Sequence, residues 1–70
     1  MADRITLTVN GERRDLPGPL SLAGLIVHLG LDTRKVAVER NEEIVPRSRY
    51  EDTALAPGDA LEIVHFIGGG

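Results

Sequence analysis

From Ile5 to Val9 apolar and polar side chains alternate without a break. That two-residue period predicts a half-buried strand with Ile5, Leu7 and Val9 facing inward. Asn10-Gly11 follows at once, the pair favoured where both residues of a tight hairpin need positive φ. Glu12 to Leu16 then reads as the returning antiparallel strand, with Leu16 its last core contact. Pro17-Gly18-Pro19 breaks the pattern. Ser21 is placed to cap a helix, because its hydroxyl can accept from the free amides of the next turn. Leu22, Leu25, Ile26 and Leu29 fall at helical spacing on one face. Gly30 stands where a left-handed cap ends such a helix. The helix is therefore short, about two turns, and must pack on the sheet to persist.

The alternation returns in Val36-Ala37-Val38-Glu39, a third strand with Val36 and Val38 inward. Asn41-Glu42-Glu43 reads as a turn, and Ile44-Val45 as a brief pairing segment ended by Pro46. Arg47 to Thr53 is polar and irregular, Leu55 is a core contact, and Pro57-Gly58-Asp59 is a turn. Ala60 to Ile67 is the last strand. Leu61 and Ile63 face the helix, which puts Val64 and Phe66 on the opposite side. The economical packing of this order is α+β: one helix over one face of a mixed sheet of four to five strands. That arrangement is the β-grasp, or ubiquitin-like, architecture, with the first and last strands parallel neighbours. Residues 1–67 are expected to form the domain and 68–70 a flexible glycine tail.

Composition narrows the functions open to this domain. Seventy residues bury only about 60% of the surface of the unfolded chain, which leaves little margin for an enclosed active site. One Phe, one Tyr and no Trp leave the core to aliphatics. The absence of cysteine excludes disulfides, thiolate nucleophiles and iron–sulfur ligation, including that of ferredoxins with this fold. Net charge is −3 with interspersed signs, and Arg13-Arg14 and Arg34-Lys35 do not make a phosphate-tracking patch. Nucleic acid is not an expected partner. No apolar run approaches the roughly 20 residues that span a bilayer, and Met1-Ala2-Asp3-Arg4 is unlike a signal peptide. A membrane is not expected either, and the expected location is the cytoplasm. His28 and His65 lack the spacing of a metal pair, so no metal site is expected. The carboxylate pairs Glu42-Glu43 and Glu51-Asp52 fall in turns, without a cleft for acid–base work.

Chemistry is left to Gly68-Gly69-Gly70, which follow the last strand directly and are expected to end the chain with a free carboxylate. A frayed terminus is the plain reading of such a run. The alternative is a reactive tail. Joined to AMP, a terminal carboxylate becomes an acyl donor, and glycine lets it thread a narrow channel with no Cβ beside the attacked carbonyl. If Val64 and Phe66 face solvent, they form an apolar docking patch beside the tail; if Phe66 folds over the sheet edge, it is core.

Five segments together resemble the ThiS family, sulfur carriers of thiazole (thiamine) biosynthesis. They are Asn10-Gly11-Glu12, Val36 to Asn41, Ile44-Val45-Pro46-Arg47, Leu55 to Asp59, and Ile63 to Gly70. The resemblance covers nearly the whole chain, and its Val-Pro-Arg and Val-His-Phe-Ile-Gly-Gly segments are more specific than the terminal glycines. It implies a carrier and co-substrate, not an enzyme, with no cofactor of its own. An E1-like adenylating enzyme (ThiF-like) would use ATP to activate Gly70. A cysteine desulfurase would deliver the sulfur that makes it a thiocarboxylate, and a thiazole synthase (ThiG-like) would receive that sulfur. Gly68 and Gly69 would thread into these partners, and Val64, Phe66 and Ile67 would dock, with Arg47 pairing with an acidic group. A MoaD-like carrier for molybdopterin synthesis, a protein-conjugation tag and a non-covalent β-grasp interaction module share the fold and stay open on the residues alone.

Overall fold

The computed structural model describes residues 3–66. Ile67, Gly68, Gly69 and Gly70 lie outside the described residues, and so do the expected domain boundary at residue 67 and the carboxylate expected to react at Gly70. Strands β1 (Asp3–Val9) and β2 (Glu12–Gly18) are followed by helix α1 (Leu22–His28). Then come β3 (Val36–Arg40), β4 (Glu43–Val45) and β5 (Ala60–His65), with short 3-10 turns at Thr33–Lys35 and Arg47–Arg49. The sheet order is β2-β1-β5-β3-β4. β1 and β5 are parallel, and every other pairing is antiparallel. This is the β-grasp, with the last strand in the middle of the sheet.

The inward residues of each strand meet α1 in one apolar core. Ile5, Leu7, Val9, Leu16, Val36, Val38, Leu61 and Ile63 pack with Leu22, Leu25 and Ile26. Both ends of the helix are satisfied. At its start Ser21 Oγ accepts from Gly24, while Leu22 and Ala23 donate to the carbonyls of Thr53 and Tyr50. At its end Gly30, at φ 79, donates to Val27 and Leu31 donates to Ile26, the paired bonds of a Schellman cap.

Three details differ from the sequence pattern. β2 runs on through Pro17 to Gly18, because it is an edge strand where a missing N–H costs no ladder bond. The second hairpin turns on Asn41 and Glu42 alone, at φ 51 and 71, and Glu43 already belongs to β4. Within the polar stretch 47–53, Tyr50 is buried in the core, where its hydroxyl donates to the Val36 carbonyl.

The two hairpin asparagines hold β5 from either side. The β1–β5 ladder is short, pairing Thr8 with Ala60 and Val9 with Leu61. Asn10 extends it: its Oδ1 accepts from Ile63 N at 2.7 Å and its Nδ2 donates to Ile63 O at 3.1 Å. Across the strand, Asn41 Oδ1 accepts from Ala60 N at 2.9 Å, and Asn41 N donates to Ala60 O. Asp59, only 6% exposed, anchors the entry to β5. It accepts from Arg40 Nε at 2.9 Å, Asn41 Nδ2 at 3.1 Å and Ala56 N at 2.8 Å. Burial pushes the Asp59 carboxyl up, but these three donors outweigh it and hold the group below the usual carboxylate range.

Asn10→Gly keeps the positive φ and removes only the side-chain grip, so it should cost about 2 kcal/mol for two lost hydrogen bonds. Asp59→Asn should cost a similar amount, about 2 kcal/mol, by removing a charge-assisted acceptor. Urea unfolding at neutral pH measures both. Because the folded pKa of Asp59 lies below its unfolded value, its contribution is present above about pH 3.9 and is lost as pH falls through the folded value. The Asn variant should therefore lose less stability than the wild type on acidification.

Candidate functional site

The face of the sheet away from α1 carries the side chains that alternate with the core residues. On β3 these are Ala37 and Glu39; on β5 they are Glu62 and Val64. Ala37 lies opposite Val64, and Glu39 lies opposite both Glu62 and, on β4, Ile44. Ile44 is 78% exposed, Val64 59% and Phe66 53%. Phe66 is therefore not folded into the core, and Val64 and Phe66 are both exposed apolar groups. Ala37, Glu39, Ile44, Glu62 and Val64 line a shallow groove of about 400 Å³. A second hollow, sharing Ala37 and Ile44, is lined by Val45, Pro46, Arg47 and Phe66.

Residues expected from the sequence to dock a partner thus come together on one continuous surface: Val64 in the first hollow, Phe66 and Arg47 in the second. Ile67 lies outside the described residues. A 3-10 turn at Thr33–Lys35 holds Arg47 and Phe66 in place. Asp32 caps it by accepting from Arg34 N at 2.8 Å. The Arg34 guanidinium and this amide together hold the Asp32 carboxyl at about 2. From the same turn, the Arg34 carbonyl accepts from Arg47 Nη1 at 3.0 Å, and the Lys35 carbonyl accepts from Phe66 N at 2.8 Å.

Sequence reasoning did not include Ala37, Glu39, Ile44 and Glu62 in this surface. The available signal was register: with Val38 inward and opposite Val45, Ile44 must point outward beside Glu39. The arrangement is suited to contact rather than catalysis. His28 and His65 are exposed, and among the described residues no cluster of three His, Cys, Asp or Glu side chains could hold a metal. No helix among them is long and apolar enough to cross a membrane.

If Ile44 and Phe66 are surface groups, Ile44→Ser and Phe66→Asp should each change unfolding free energy by less than about 0.5 kcal/mol. Leu61→Ala, on the inner face of the same sheet, should cost about 3 kcal/mol. Denaturant midpoints for the three variants measure the contrast.

The chain is similar to known proteins over most of its length. The model of the ThiS family matches residues 7–70. The sulfur carrier protein ThiS of Bacillus subtilis is 42% identical over 50 residues, covering 71% of this chain and 76% of that protein. The thiazole synthase of Paramagnetospirillum magneticum is 55% identical over 64 residues, which cover 91% of this chain but 20% of that protein. The chain thus spans about a fifth of that synthase's length. The crystal structure of the thiamine biosynthesis protein (ThiS) of Geobacter metallireducens superposes with a TM-score of 0.79 at 35% identity, covering 94% of this chain and all of that one. On a family match through Gly70 and a shared fold, the chain belongs to the ThiS family.

Proposed function

We propose that this chain is a sulfur carrier of thiamine biosynthesis, loaded as a thiocarboxylate at Gly70 and acting as a co-substrate, not an enzyme. The observation that carries this reading is that the family match runs to Gly70, in a tail that follows a strand held in the middle of the sheet. In the first step the Gly70 carboxylate attacks the α-phosphate of ATP in an E1-like adenylating enzyme, and pyrophosphate leaves. In the second, the outer sulfur of a persulfide attacks the acyl carbon and AMP leaves with the bonding electrons, which joins the chain to the sulfur donor through an acyl disulfide. The persulfide is formed from cysteine by a desulfurase, with alanine released. A thiol then attacks the donor's sulfur, forms a disulfide with it and releases the thiocarboxylate, so the two electrons come from the thiol. Gly69 and Gly68 give the clearance both steps need, since they place no side chain beside the reacting carbon.

Transfer of that sulfur to a thiazole synthase completes the cycle. Support for this partner comes from the Paramagnetospirillum magneticum and Magnetococcus marinus thiazole synthases, where a segment like this chain makes up about a fifth of a longer polypeptide. Val64, Phe66, Ile67 and Arg47 dock the partners by flanking the tail. The cycle takes place in the cytoplasm, where ATP and reduced sulfur are available.

Incubated with ATP, the adenylating enzyme, the desulfurase, cysteine and a thiol reductant, the chain should gain the mass difference between sulfur and oxygen in intact mass spectrometry. Deleting Gly70, or adding one residue after it, should abolish that gain while leaving the unfolding curve unchanged. No gain in a mixture that loads another ThiS protein would refute the carrier reading. Phe66→Asp should weaken binding to the adenylating enzyme about tenfold, as loss of a buried aromatic anchor does.

A further inference from the structure

Glu39 and Glu62 lie directly opposite each other across β3 and β5 on the exposed face. Like charges in that relation destabilise a sheet. Neither carboxylate has an ion-pair partner among the described residues, although Arg40 in the same strand pairs with Asp59. The two carboxylates line one groove with Ala37, Ile44 and Val64. Apolar side chains beside two unneutralised carboxylates match one kind of group: a long alkyl stem ending in a cation, as in arginine or lysine. Farther along the same surface, Arg47 and Phe66 line the second hollow. The surface therefore carries two carboxylates at one end and the Arg47 guanidinium beside Phe66 at the other. Such an arrangement fixes the orientation of a docked partner.

We propose that Glu39 and Glu62 form a clamp for a single arginine or lysine side chain of the thiazole synthase, seated over Ile44 and Val64 while the tail is engaged. The proposal rests on the sulfur-carrier reading for the partner's identity. Thiazole synthase is favoured over the adenylating enzyme because thiazole synthases hold a segment like this chain in their own polypeptide. The repulsion between the two carboxylates is present in the free chain and is relieved when the cation enters.

The test is titration of the purified thiazole synthase with the full, unloaded chain by calorimetry at several salt concentrations. The E39Q/E62Q double variant should bind roughly tenfold more weakly, about 1.4 kcal/mol, with a shallower salt dependence. E39K/E62K should not bind measurably. The unfolding midpoint of E39Q/E62Q should be equal to or above the wild type, since a repulsion has been removed. Binding within about twofold of wild type, or a loss confined to the adenylating enzyme, would overturn the clamp. So would an unaltered salt slope, a destabilised double variant or a wild-type chain that does not bind the synthase. Sulfur loading of the wild-type chain, followed in parallel by intact mass, tests the carrier reading separately. A chain that binds as expected but cannot be loaded refutes the carrier reading and leaves the clamp standing.

Discussion

Everything that the far face of the sheet presents depends on how β5 is held. The strand comes last in sequence yet sits between β1 and β3, so it must be inserted between two hairpins that are each local in sequence. Its parallel ladder with β1 spans only two residue pairs, a weak grip for a central strand. Two asparagines make up the difference. Asn10 supplies a donor and an acceptor to the backbone of Ile63, as a further strand residue would. Asn41 does the same for Ala60, with its side chain accepting and its own amide donating. Each asparagine occupies a positive-φ turn position. Asparagine tolerates that conformation and carries a side-chain amide, so one residue type both turns each hairpin and docks it on β5.

Fixing β5 fixes which side each residue shows. With Ile63 clamped, Leu61 and Ile63 are committed to the core, and Glu62 and Val64 to solvent, because a one-residue slip would exchange the two sets. The Asp59 carboxylate holds the strand's entry in the same way. Arg40, Asn41 and Ala56 all donate to it, tying the end of β3, the second hairpin and the turn before β5 to one buried charge. The long segment between β4 and β5 is fastened to the helix start, where Thr53 and Tyr50 accept from Leu22 and Ala23. A helix of seven residues thereby has its free N-terminal amides satisfied by the connection that leads to β5.

The regular elements were legible because each rests on a local signal. Strict alternation placed Ile5, Leu7 and Val9; Asn10-Gly11 placed the first hairpin; Ser21 and Gly30 bounded the helix. Burial that depends on distant partners was not legible. Asp59 lies in a Pro-Gly-Asp turn, where a carboxylate is ordinarily solvated, and only the folded chain brings Arg40 and Asn41 to it. Tyr50 is the lone aromatic in a polar run, and its place in the core depends on the Val36 carbonyl being there to receive its hydroxyl. For the candidate site, Val64 and Phe66 followed from the period of one strand. Ala37, Ile44, Glu39 and Glu62 required the register of three strands at once, which no single segment contains.

On the proposed reading, the same surface and tail must serve an adenylating enzyme and a thiazole synthase in turn. A domain of this size has one such face, so occupancy by one partner excludes the other, and neither complex can be so tight that hand-over stalls. Residues nearest the tail are then poor places for selectivity, since any enzyme that receives Gly70 must lie against Phe66. Discrimination can reside farther along the sheet, where contact is optional. Glu39 and Glu62 meet that condition: both are exposed, and Glu62 stands four residues before Phe66, opposite Glu39. A partner with a cation at that distance gains contact and charge relief, while one without it still has access to the tail. The carboxylate pair thus separates the choice of partner from the chemistry at Gly70, with only a small electrostatic cost to the free domain.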